Sequence, residues 1–479
     1  MKSKSGTLVL VAMIFAVAMT FIDQTIVAIA IPEIQKDLHL SATGVQWLVN
    51  AYLLALAAFF LIGGRLGDTL GHRQMVTLGV VVFTVASGLC GLTPSGDIAQ
   101  TWLIVFRAAQ GIGAAILLPA ALAIVVGAFP VNERGRALAI FFGVAGALTS
   151  VGPILGGYLT DLDWRAIFWV NIPVALIALV LIVRAKPDKT KTPSPFDLRG
   201  AILSVAGMSL TVLGLQQASV WGWGSAETLG TVIVGLILIA IFIMVELRVA
   251  NPLTRVRIFT DRAFAAENAI LFLIMIAFLP LFFFSSTYAQ ISLGKTPSEA
   301  GIYLLTFFAG FAFASQIGGR ILDERGARHA ILPGTLICAL GFYLWGDSLT
   351  NLNFDEQWYY IVMTGFGMGL IVAPANTDAI NRAPKVNYAE ASAITQTVRN
   401  FGASLGLAVL GTILITTTES EIGVSHQIAY AMGTRTVFYI LAGVMVASFF
   451  VALLALPGGR TQELVSEGAY AGSENSTDA

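Results

Sequence analysis

The chain has 479 residues, of which 56% are hydrophobic and 11% charged, with a formal net charge of −1. Ordinary soluble domains carry roughly 25% charged residues, and a chain this apolar could not hide its surface from water, so the solvent for most of it must be lipid. The neutral balance gives no sign of a nucleic-acid partner. The two cysteines, Cys90 and Cys338, each lie inside an apolar run and read as small packed hydrophobes rather than a disulfide or metal pair.

At the N-terminus, Lys2 and Lys4 precede an apolar run from Thr7 to about Ile31. Ala28-Ile29-Ala30 has the look of a signal-peptidase site, but the run is too long for a signal h-region and Asp23 interrupts it, so an uncleaved first crossing is expected. Stretches able to cross about 30 Å of hydrocarbon fall at about 7–31, 44–64, 74–94, 99–129, 135–160, 164–184 and 198–217. They continue at about 227–247, 264–289, 297–318, 329–346, 357–379, 390–415 and 434–456, fourteen in all. With so little β-patterning only helices satisfy the backbone at that depth. An even number puts both termini on one side.

Basic residues choose that side. One set of connections holds Arg65, Arg73, Arg134, Arg136, Lys186, Lys189, Lys191, Arg199, Arg248, Arg255, Arg257, Arg262, Arg320, Arg325, Arg328, Arg382 and Lys385. The opposite set offers Lys36, Arg165, Lys295 and Arg435 among acids such as Asp37, Asp97, Asp161, Asp163, Asp355 and Glu356. Both termini and the arginine-rich connections of the first set are therefore expected to face the cytoplasm.

An internal repeat organises the crossings. Gly63-Gly64-Arg65-Leu66-Gly67-Asp68-Thr69-Leu70-Gly71-His72-Arg73 is echoed 255 residues later by Gly318-Gly319-Arg320-Ile321-Leu322-Asp323-Glu324-Arg325-Gly326-Ala327-Arg328. Each copy joins the second and third crossing of a six-helix half. Residues 1–186 are the first half, 187–262 a linker and two inserted crossings, 263–459 the second half, and 460–479 a polar tail expected to be disordered.

At these residues the chain resembles the major facilitator superfamily, in its fourteen-helix drug:H⁺ antiporter branch. The Gly64–Arg73 stretch matches the family's cytoplasmic loop signature, and Phe21-Ile22-Asp23-Gln24-Thr25-Ile26-Val27, ending at Pro32, matches the first-helix pattern. Arg107-Ala-Ala-Gln110-Gly111-Ile-Gly113 matches the fourth-helix pattern, and Gly146 through Gly152-Pro153-Ile-Leu-Gly156-Gly157 the fifth-helix antiporter motif. Trp164-Arg165-Ala-Ile-Phe-Trp-Val-Asn171-Ile-Pro173 matches the start of the sixth, while Glu390 stands where the branch has glycine. The resemblance implies an all-α major facilitator fold and a proton-coupled antiporter, not an enzyme. It implies export of hydrophobic or amphipathic drugs by alternating access, with no cofactor or metal beyond the proton motive force, working as a monomer in the bilayer.

The residues carry a reading of their own beside it. Asp23 in a lipid-spanning helix costs at least about 2.5 kcal/mol unless it faces a cavity or a partner, which makes it the proton-site candidate. Arg107 lies at a similar distance from the outer end of its crossing, roughly 12 Å at the helical rise, so the two can share a depth. Three readings stay open: that Arg107 tunes Asp23, that the two form a permanent ion pair, or that Arg107 binds substrate and Asp23 alone is the proton site. Gln110 follows on the same helix face. Glu267 and Asp378, near the inner ends of their crossings, can snorkel to water or line a cavity. Gln396, Arg399 and Asn400 share one face, Arg399 serving as interface anchor or site residue. Phe272, Phe278, Phe282, Phe283, Phe284, Phe307 and Phe308 line a greasy cavity or pack as core. A cationic substrate would want acids such as Asp23, Glu267 or Asp378 in the cavity.

In the fifth crossing, Gly143, Gly146 and Gly157 fall on one side and Gly152 and Gly156 on the other, so two neighbours can approach at once; Pro153 permits a bend. The Gly64, Arg65, Gly67, Asp68, Gly71 and Arg73 loop reads as a conformational switch, Asp68 latching onto a helix of the other half; the plainer alternative is a basic turn kept tight by Gly67 and Gly71. Three other classes compete. Gly294-Lys295-Thr296 lacks the first glycine of a phosphate loop, Ala289 standing there. Gly402-Ala-Ser404-Leu-Gly406 fits a serine-hydrolase pattern but sits inside a helix, away from every histidine. A non-transporting receptor has no soluble domain to signal with. Within transport, a dedicated exporter of one metabolite, lipid or antibiotic stays open.

Overall fold

The computed structural model describes residues 2–129, 131–186, 196–381 and 388–459, and among these there is no strand. The linker beyond Lys186, Arg382, Lys385 and the tail from Arg460 lie outside the described residues. The helices are α1 (Lys2–Leu38), α2 (Ala42–Leu70), α3 (His72–Gly91), α4 (Ala99–Ala128), α5 (Val131–Leu162), α6 (Ala166–Trp169), α7 (Asn171–Ala185) and α8 (Leu198–Trp221). Then come α9 (Ala226–Glu246), α10 (Arg262–Ile291), α11 (Pro297–Arg325), α12 (Ala327–Ser348), α13 (Trp358–Asn381), α14 (Tyr388–Ser420) and α15 (His426–Ala455). Thirteen crossings are long and apolar enough by composition, and α5, with 32 residues, makes the fourteenth.

Side-chain caps mark where several helices begin. Ser41 accepts from the Gly44 N–H, Ser225 from Thr228 and Ser425 from Ile428, satisfying donors that the first turn leaves open. Thr296 and Glu299 cap α11 reciprocally. The sixth crossing is split into α6 and α7, with Pro173 in the first turn of α7, where a missing N–H costs little.

The repeat is mostly not a loop. Gly64, Arg65, Gly67 and Asp68 lie in the last turns of α2, and only Gly71 leaves the helix, at φ 108°. Its N–H closes onto the Gly67 carbonyl, as the Gly326 N–H, at φ 88°, closes onto Leu322 between α11 and α12. Both positions favour glycine because a Cβ is strained there. Gly67, expected to tighten the turn, instead clears space for His72: a Cβ on it would lie 2.7 Å from the His72 Nδ1.

The helices sort into two packed groups, α1–α7 and α10–α15, which meet along α2 with α14, α5 with α11 and α1 with α10. The α8/α9 hairpin packs on itself through Gly207, Gly214 and Gly235 and lies across the α2–α14 seam. The two ends of the interface differ. At the acidic end Gln290 Nε2 donates to the Ile29 carbonyl over 2.8 Å, and Ser298 bonds Asp161. Here α5 and α11 touch backbone to backbone, since a Cβ on Gly301 would lie 2.3 Å from the Pro153 carbonyl and one on Gly157 2.6 Å from the Ser298 Cα. At the basic end a cavity of about 380 Å³ separates α2 and α4 from α14 and the 251–255 segment.

Candidate functional site

Four helices bring one polar centre together inside the first group. Arg107 on α4 donates through Nη1 to Asp23 Oδ2 on α1, 2.6 Å away, and to Gln110 Oε1 at 2.9 Å. Its Nε donates to the Leu48 carbonyl of α2 at 3.0 Å, and its Cζ sits 4.6 Å from the centroid of the Tyr52 ring. Gln110 Nε2 reaches the second Asp23 oxygen at 3.4 Å, and the Cys90 thiol contacts Gln110 Oε1 at 3.6 Å. Asp23 and Gln110 are fully buried and Arg107 nearly so.

The sequence pointed to Asp23, Arg107 and Gln110, and the structure joins all three. Tyr52, Cys90 and the Leu48 carbonyl were missed. Helix rotation decides them, and hydropathy does not record rotation. The glycines of α5 serve α1 on one face, where a Cβ on Gly152 would strike the Thr25 hydroxyl and one on Gly156 the Ile26 backbone. Gly157 serves α11 across the seam, no atom lies within reach of a Cβ at Gly143, and the surroundings of Gly146 lie outside the described residues. Pro153 gives its carbonyl to the close approach of Gly301.

A second polar group lies where α1, α4, α10 and α14 meet, around a central cavity of about 40 Å³. Phe21, Gln24, Leu118, Met275, Phe278, Leu279, Gln396, Arg399 and Asn400 line it. Of the expected cavity residues only Gln396 and Arg399 are there: Gln110 belongs to the Asp23 centre. Glu267 and Asp378 are wholly buried in the protein rather than snorkelling to water. The helices around them cover their lengths, which a count of residues from the helix ends could not show. Phe282, Phe307, Phe308 and Phe311 pack behind Phe278 in edge-to-face and stacked contacts as core, while Phe272 packs on Phe401.

The remaining candidates fall at the basic end or along the seam. Gly64, Arg65 and Asp68 line the larger cavity with His72, Arg255 and Glu390. Asp68 meets His72 at 3.5 Å on its own side of the interface, and Arg255 is held to Glu390 at 3.8 Å on the other. Ser404 hydrogen-bonds Asn50, and Gly402 and Gly406 lie against the Phe272 and Ile276 carbonyls of α10, so this glycine–serine pattern serves helix packing.

Comparison with known proteins follows that geometry. The family model of the Major Facilitator Superfamily matches residues 13–407 and 269–471. The tetracenomycin C resistance and export protein of Streptomyces glaucescens is 35% identical over 412 residues, covering 85% of this chain and 75% of that one. The multidrug resistance protein Stp of Mycobacterium tuberculosis (strain CDC 1551 / Oshkosh) is 32% identical over 421 residues, 86% and 76% of the two chains. Among solved structures, an auto-inhibited POT family peptide transporter superposes with a TM-score of 0.65 at 13% identity, over 93% of this chain and 96% of that one.

Proposed function

The chain belongs to the Major Facilitator Superfamily, a family of transporters rather than enzymes, and we propose that it is a proton-coupled antiporter exporting hydrophobic or amphipathic toxic compounds by alternating access. The two curated relatives, named for resistance and export, support the direction and the class of cargo. The observation that carries the coupling is the buried carboxylate of Asp23 held by Arg107 and Gln110. A carboxylate at that depth persists only with such partners. When Asp23 takes a proton, Arg107 keeps the Gln110 oxygen, the Leu48 carbonyl and the Tyr52 ring, so its charge is not stranded. That retained support favours a titrating pair over a permanent one.

In this reading the basic end faces the cytoplasm of a bacterial inner membrane, with both termini inside, and residues 1–186 and 263–459 rock against each other as single-chain halves. The sealed acidic end and the hollow basic end then correspond to an inward-facing state. The 40 Å³ centre has room for only a few waters, whereas a drug-sized ligand needs roughly 300–1,000 Å³, so loading requires the halves to part. One proton entering across about 100 mV supplies about 2.3 kcal/mol, and one pH unit about 1.36 more. Together they sustain roughly a 500-fold gradient of a neutral compound.

Asp23→Asn tests the reading. It should lose at least about tenfold of pH-driven efflux in inverted vesicles, by the scale on which one decade is about 1.4 kcal/mol, while inserting at normal levels. Retained pH-driven efflux in that variant would remove Asp23 from the coupling. A susceptibility panel in a pump-deficient host, with and without uncoupler, separates a multidrug range from a single native cargo.

A further inference from the structure

A second arginine inside the helix bundle, the partly buried Arg399, differs from Arg107 in what holds it. Arg399 Nη1 donates to the amide oxygens of Asn376 at 3.2 Å and Gln396 at 3.0 Å, and Nη2 points at the Met275 sulfur 3.9 Å away. Its Nε is buried without an acceptor. Among the described residues no carboxylate pairs with it. Glu267 on α10 and Asp378 on α13 are buried on helices that pack around it. A full positive charge at membrane depth thus rests on neutral dipoles and a thioether, although neutralising it with an acid would lower its cost.

The cavity it faces is built to complete that charge. Among the described residues no acidic side chain lines the cavity; its polar groups besides Arg399 are the amides of Gln24, Gln396 and Asn400. Phe21, Leu118, Met275, Phe278 and Leu279 supply an apolar wall continuous with the phenylalanine core. Asp23, one residue before Gln24, is turned away into the first group and committed to Arg107. A cationic compound entering here meets a cation and no counter-charge. An anion meets a forked donor with an unfilled N–H, in surroundings of low dielectric where the attraction is strong.

We propose that the central cavity binds the anionic group of an amphipathic cargo on the Arg399 guanidinium, its apolar body lying on Phe21, Leu118, Phe278 and Leu279. The assignment rests on the exporter reading and names its substrate class as amphipathic organic anions, in place of the cationic option that the sequence left open. It also sets the energetics of a cycle. A monoanion leaving while a proton enters moves two charges in the same sense, so membrane potential drives the exchange more strongly than it drives export of a neutral compound.

The test uses one ring with three charges: 1-naphthalenesulfonate, its neutral sulfonamide, and 1-naphthylmethylammonium. Binding to the purified full chain is read by thermal stabilisation, and export by uptake into inverted vesicles energised with a proton gradient. The wild-type protein should bind the sulfonate roughly tenfold or more tightly than either other probe. Arg399→Gln should erase that preference while leaving sulfonamide binding in place, and Arg399→Lys should keep part of it, since a point charge replaces the fork. Equal binding of sulfonate and sulfonamide by the wild type overturns the proposal whether or not the variants fold. So does a preference that survives Arg399→Gln. Sulfonate preference without uptake of any probe would sink the exporter reading and leave the anion site standing; uptake blind to charge would do the reverse.

Discussion

Arg107, fully buried, and Arg399, partly buried, lie on glycine-bearing helices, one in each helical group, and they have opposite electrostatic surroundings. Arg107 sits in a closed circuit of carboxylate, amide, carbonyl and aromatic face. Arg399 sits in an open one, with amide oxygens, a sulfur and an empty Nε. In the proposed exchanger the difference would divide the labour. A proton needs one carboxylate whose surroundings tolerate both of its charge states, while a cargo needs a charge that nothing inside the protein already neutralises.

The largest effect should come from removing one member of the closed circuit. Arg107→Ala strands the Asp23 carboxylate and should destabilise the protein by about 3–5 kcal/mol, read as a lowered thermal midpoint. Arg399→Ala leaves no buried carboxylate behind and should cost clearly less. Equal losses would mean that the two arginines are not electrostatically distinct. Next, Asn376→Asp would close the second circuit by giving Arg399 an acid of its own. Sulfonate binding should then fall roughly tenfold with sulfonamide binding unchanged; undiminished sulfonate binding would show that the unpaired charge is not what the cargo uses. The smallest effect is expected at the basic end, where, among the described residues, the Asp68 carboxylate meets the His72 ring at 3.5 Å. Asp68→Asn should slow export a few-fold, on the order of 1 kcal/mol, with the ranking of cargoes kept. A changed ranking would place Asp68 in recognition rather than in the movement of the halves.

Much of this was legible beforehand, for identifiable physical reasons. Lipid demands about twenty apolar residues per crossing, and that demand wrote all fourteen into the composition of the chain. Asp23 stood out because a carboxylate in such a run is costly. The end of α2 did not: Arg65 to Leu70 form helix that has left the apolar band, and polar helix looks like loop to any count of hydrophobicity. Helix rotation was the other blind spot. It puts Tyr52 over Arg107 and Arg399 at the cavity wall, and it encloses Glu267 and Asp378, which their distance from the helix ends had left free to reach water.

The α8/α9 hairpin has its own consequence. Asn50 of α2 bonds both Gln216 of α8 and Ser404 of α14, and the Thr412 hydroxyl reaches the Leu215 carbonyl at 3.1 Å. A twelve-helix relative cannot therefore be made from this chain by excising the hairpin. Cutting it out would leave the Asn50 amide N–H without its Gln216 acceptor, while Thr412 keeps the Ala408 carbonyl at 2.9 Å, so Asn50 is the position that needs an apolar replacement before the shortened bundle could be sound.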